Sequence, residues 1–92
     1  MKNENENASL VIPKEQVDKV LGLYSSGKID EAINMIRALN EEYPNVPLLF
    51  NILGVCYKSL GQLQEASQAF LNAIKIKSDY TEAHFNLGLI YQ

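Results

Sequence analysis

The sequence is short of the residues that build most reactive sites. Its 92 residues include one cysteine, Cys56, and one histidine, His84. A lone cysteine excludes an internal disulfide and any cysteine-based zinc cluster, and it fits a reducing compartment. No apolar run is long enough to cross a bilayer, and no charged-then-apolar leader opens the chain, so the sequence reads as soluble, non-secreted and cytoplasmic. The 8 basic and 11 acidic residues leave a net charge of −3, with the basic ones scattered rather than gathered into a stripe. Neither nucleic acid nor a membrane is an expected partner. Glycines stand singly, which excludes a phosphate-cradling loop. Cys56 has no histidine within helical reach and reads as a small buried residue, and His84 reads as a packing or hydrogen-bonding side chain. The expectation is therefore no catalytic residue, no metal site and no cofactor, in a chain that is not an enzyme.

Against these absences stands repetition. Phe50, Leu53, Gly54, Tyr57, Gly61, Ala66, Phe70 and Ala73 form a spine. A shift of 34 residues finds Gly27 (61 − 27), Ala32 (66 − 32), His84 (84 − 50), Leu87 (87 − 53), Gly88 (88 − 54) and Tyr91 (91 − 57). Within a unit the aromatic, Leu-Gly and Tyr positions fall at i, i+3, i+4 and i+7, one face of a helix. After a glycine turn, the Ala, Phe and Ala positions mark one face of a second helix.

The local signals place five helices. The first runs from about Pro13 to Ser25, with Gln16, Val17, Val20, Leu21, Leu23 and Tyr24 as its apolar side, and Ser26-Gly27 ends it. The second starts at Ile29-Asp30, buries Ala32, Ile33, Met35, Ile36 and Leu39, and closes before Pro44. The third spans about Pro47 to Leu60. Its mid-helix Gly54 costs about 1 kcal/mol against Ala, so a close neighbouring helix is expected there. The fourth runs from Leu63 to Lys77, with Ser78 where the first unit has Pro44, and the fifth from Thr81 to Gln92, capped by Thr81 or Asp79. Residues 1–9, MKNENENAS, have almost nothing to bury and read as a disordered tail, in which Asn7-Ala8-Ser9 is a chance glycosylation sequon.

The aromatic at Phe50, Leu53-Gly54, Tyr57, Ala66 and Phe70 resemble the tetratricopeptide repeat, a likeness that covers roughly residues 13–92. It implies an all-α fold, a right-handed α-solenoid of antiparallel helix pairs. Two units (13–46 and 47–80) are followed by the first helix of a third (81–92), in one domain from 10 to 92. The first unit has Lys19, Val20 and Leu23 at the Leu-Gly-Tyr positions and reads as an N-terminal capping unit. The last helix lacks a partner. His84, Leu87, Gly88 and Tyr91 are expected to pack back on the third and fourth helices, leaving Phe85, Leu89 and Ile90 uncovered.

The resemblance also implies a function. The first helix of each unit lines a concave groove, here through Val17, Leu21, Tyr24, Asn51, Val55, Lys58, Phe85, Asn86 and Leu89. Members that clamp chaperone C-termini use Lys, Arg and Asn where this chain has Val17, Leu21, Ile52 and Glu82, so that ligand is not expected. A protein or peptide partner, an extended or helical apolar segment, fits the lining better, unless residues 10–12 fold back over it. Two alternatives stand beside this interaction module. The chain resembles the N-terminal arrays that recruit substrates for glycosyltransferases and sulfotransferases, or it forms a homodimer through Phe85, Leu89 and Ile90.

Overall fold

The structure, a computed structural model, describes residues 11–92. The expected tail at 1–9 with its sequon, and Leu10, lie outside the described residues. Five α-helices follow one another: α1 (Lys14–Ser25), α2 (Ile29–Glu42), α3 (Pro47–Ser59), α4 (Leu63–Ile76) and α5 (Thr81–Ile90). No strand occurs among the described residues. The fold is an all-α helical-repeat solenoid in which consecutive helices pack in antiparallel pairs.

Two of the connections are the same device. Gly27 and Gly61 adopt φ of 80° and 76°, the left-handed region where a side chain would strain the backbone. At each, two amides turn back onto the preceding helix: Gly27 N donates to Tyr24 O and Lys28 N to Leu23 O, and Gly61 N donates to Lys58 O and Gln62 N to Tyr57 O. This pairing satisfies carbonyls that the helix end leaves without partners. The starts of the helices depart from expectation. No side chain caps any of the five, and the residue before α5 is Tyr80, so neither Thr81 nor Asp79 fills that role. Tyr80 has no oxygen that can reach its own helix's first amides, and the Thr81 hydroxyl turns instead toward Asp79 O at 3.5 Å. Acidic side chains in the first turns of α1, α2, α4 and α5 offset the exposed N–H dipoles, and Pro47 presets the first turn of α3.

α3 is the centre of the molecule. It buries Leu49, Asn51, Ile52, Leu53, Gly54, Cys56 and Tyr57, and it packs against α2, α4 and α5, with the α4 interface the most extensive. The expected close approach at Gly54 is there: a Cβ on it would lie 2.6 Å from Phe70 Cδ1 and 2.7 Å from Cζ. Phe70 is itself fully buried. Each such large side chain removed from water contributes about 1.5–3 kcal/mol. The 34-residue register explains the first unit as well. Val20 stands where α3 has Gly54 (54 − 34 = 20), and Ile36 where α4 has Phe70 (70 − 34 = 36). Both are fully buried. A glycine facing a ring has been exchanged for two mid-sized aliphatics, so Val20 is a core residue and not the mark of a face turned to water.

Candidate peptide-binding groove

The odd-numbered helices lie side by side, and polar bonds tie them. Tyr24 OH on α1 lies 2.9 Å from Ser59 Oγ on α3. Asn86 Nδ2 on α5 donates to Asn51 Oδ1 on α3 at 3.1 Å. Where the three helices meet, a cavity of about 280 Å³ opens, lined by Tyr24, Val55, Lys58, Ser59 and Asn86. Four of these are among the residues the sequence singled out. Ser59 is not, because its neighbour in the repeat register carries no signal and only the approach of Tyr24 gives it a place.

The cavity is richer in donors than acceptors. Tyr24 and Ser59 share one hydroxyl proton between them, so the other is free to point at a ligand. Asn86 uses one amide N–H on Asn51 and keeps its second. Lys58 forms no ion pair with a carboxylate among the described residues. The arrangement therefore suits an acceptor: a backbone carbonyl or a carboxylate. Apolar side chains flank it. Leu21 is 44% exposed, Phe85 65% and Leu89 36%, on α1 and α5 on either side of α3, while Val17 and Val55 are half-buried. Asn51 lies deeper than a groove position, 8% exposed, so its carboxamide orients Asn86 instead of meeting solvent. Of the residues expected to fold back over the groove, Val11 is exposed and Ile12 packs on the core.

The uncovered part of α5 includes Phe85 and Leu89, as expected, but not Ile90. Ile90 packs against the core together with Leu87, and Ala83 is fully buried. Tyr91 is 68% exposed, and His84 and Gly88 are exposed as well. The reason lies in the repeat. In α3 Gly54 meets Phe70 on the second helix of its own unit, and the half-unit has no such helix among the described residues. The stripe at His84, Gly88 and Tyr91 is thus a second open side beside Phe85 and Leu89, while Ala83, Leu87 and Ile90 pack on the core. His84 still finds a partner, its Nε2 donating to Ser78 O at 2.8 Å.

Burial pushes the Cys56 thiol up to about 11, so it stays protonated near neutral pH and is no nucleophile. No group of three His, Cys, Asp or Glu among the described residues could hold a metal ion. No described helix is long and apolar enough to cross a membrane. Arg37 on α2 donates to the phenol of Tyr57 on α3, a bond that braces the two units.

Antiparallel helix pairs stacked on one register, with their first helices forming a common face, define a helical-repeat solenoid protein. This chain belongs to the tetratricopeptide repeat family. A family profile described as TPR repeat matches residues 54–92. The chain is similar to the peroxisomal targeting signal receptor of Saccharomyces cerevisiae, 32% identical over 92 residues, which covers 94% of this chain and 15% of the receptor. The receptor of the same name from Candida albicans is 27% identical over 90 residues, covering 90% of this chain and 15% of the receptor. Protein O-mannosyl-transferase TMTC2 of Mus musculus is 26% identical over 68 residues, covering 71% of this chain and 8% of the transferase. The chain spans no more than 15% of the length of these relatives.

Proposed function

We propose that this chain is a non-catalytic module, working in the cytoplasm, that binds a peptide segment of another protein across α1, α3 and α5. The observation that carries the reading is the donor-rich cavity at Tyr24, Val55, Lys58, Ser59 and Asn86, set between the exposed Leu21 and the exposed Phe85 and Leu89. Such a site holds an extended segment by its carbonyl or carboxylate oxygens at the centre and by apolar side chains at the rims. Similarity to targeting signal receptors supports recognition of a short segment. A second reading has one observation behind it: similarity to an O-mannosyl-transferase supports an array that recruits substrates for a larger transferase.

Peptide libraries titrated against the chain test the first reading. Binders should lose about tenfold or more in affinity with Lys58→Glu and with Phe85→Ala, because buried charge contacts and aromatic anchors each typically contribute more than 1 kcal/mol. Lys58→Ala should leave the melting temperature nearly unchanged. Binding that survives both Lys58→Glu and Phe85→Ala would refute the groove.

A further inference from the structure

The groove is ruled at the interval of the repeat. Leu21 on α1, Val55 on α3 and Leu89 on α5 stand 34 residues apart (21 + 34 = 55; 55 + 34 = 89), so they form one row across the three helices. Leu21 is 44% exposed and Leu89 36%, and Val55 stays half-buried with a helix on either side of it. Lys58 lies one turn beyond Val55 and lines the cavity with Tyr24, Ser59 and Asn86. From α1 through α3 to α5 the groove therefore reads apolar, cationic, apolar.

That interval decides the conformation of an occupant. Helices in side contact have axes about 8–10 Å apart, and the Tyr24–Ser59 and Asn86–Asn51 bonds hold α1, α3 and α5 in such contact. A β-strand returns a side chain to the same face after two residues, about 6.6–6.8 Å, which is too short. An α-helix laid across the row matches it after two turns, about 10.5 Å, but spends its carbonyls internally. The second N–H of Asn86 and the hydroxyl at Tyr24 and Ser59 would then find no main-chain acceptor. Polyproline II returns to the same face after three residues, about 9.3 Å, and leaves every carbonyl unpaired. It meets both the interval and the donors.

Charge fixes the middle residue. Lys58 is the one cation lining the cavity, and it forms no ion pair with a carboxylate among the described residues. One carboxylate matches it. Because open leucines lie on both sides, on α1 and on α5, a segment that uses them continues past Lys58 in both directions. The carboxylate is then a side chain and not a chain end.

We infer that the groove takes an internal polyproline II segment whose acidic side chain faces Lys58, with apolar residues three before and three after it against Leu21 and Leu89. This occupant presupposes the peptide groove of the proposed function and narrows what it admits.

The probe is the blocked peptide acetyl-Leu-Pro-Pro-Glu-Pro-Pro-Leu-amide, titrated into isotope-labelled chain. It should shift the amides of Leu21, Val55, Lys58 and Leu89. Glu→Gln in the peptide should weaken binding at least fivefold, and moving the glutamate one place along should do the same. Lys58→Glu in the chain should abolish the preference for glutamate, and a peptide with lysine in the middle should recover binding to that variant, which a misfolded chain could not do. Equal affinity for the glutamate, glutamine and displaced-glutamate peptides would overturn the inference. So would tighter binding of acetyl-Leu-Pro-Pro-Glu with a free C-terminus, which would make the carboxylate a chain end. If library peptides bind through Lys58 and Phe85 while this probe does not, the polyproline II occupant falls and the groove stands. If no peptide shifts the groove amides, both fall.

Discussion

A single missing side chain, at Gly54, lets the Phe70 ring sit directly against α3. The Phe70 ring occupies the space a Cβ would need, and both residues are buried, so neither can swing aside into solvent. Gly54→Leu should destabilise the chain by roughly 1–3 kcal/mol, the usual cost of overpacking. Thermal unfolding checks it, with Gly88→Leu as the control in which the same substitution meets no neighbour. The repeat signature made Gly54 conspicuous in the sequence. That Val20 and Ile36 replace glycine and phenylalanine in the first unit was not legible in the same way, because each looks like an ordinary apolar residue until the two are seen to be buried together.

Helix ends are set by backbone geometry more than by side-chain caps. The two glycine turns at Gly27 and Gly61 carry positive φ and return two amides each to the preceding helix. Gly61→Ala should cost about 1 kcal/mol, the penalty for a side chain in the left-handed region. It should lower the denaturant midpoint without altering the slope. No atom crowds Gly61, so the loss would come from backbone strain alone. The sequence located these turns to the residue. It misplaced the caps of α5, because a threonine or aspartate near a helix start caps only if the chain enters at the right angle, and here it enters through Tyr80.

The molecule extends 48 × 29 × 17 Å, longer than wide, as helices stacked in a row require. Stability is then uneven along the row, since each pair contacts only its neighbours. Hydrogen exchange should find the amides of α3 and α4 slowest, and those of α1 and of the last turn of α5 fastest, because α3 is covered by α2, α4 and α5 while α1 and α5 are the outer helices. Uniform protection across all five helices would contradict this. The same geometry leaves α5 with two open sides of different kind: a groove side bearing Phe85 and Leu89, and an end side bearing His84, Gly88 and Tyr91. Periodicity put all of these on one helix and left Phe85 and Leu89 open and Leu87 packed, as they are, but it exchanged Ile90, which packs, with His84, Gly88 and Tyr91, which do not.

The sequence by itself determined the five helices, the 34-residue register, the glycine turns and the solenoid, because helical period and turn chemistry are local and survive in one dimension. It also named four of the five residues that line the cavity. The tertiary structure alone decided which stripe of α5 is covered, that Asn51 is buried beneath the groove, that Ser59 joins Tyr24, and that Val20 and Ile36 are both fully buried. These depend on which neighbour a helix face meets, and with no further helix among the described residues His84, Gly88 and Tyr91 meet solvent.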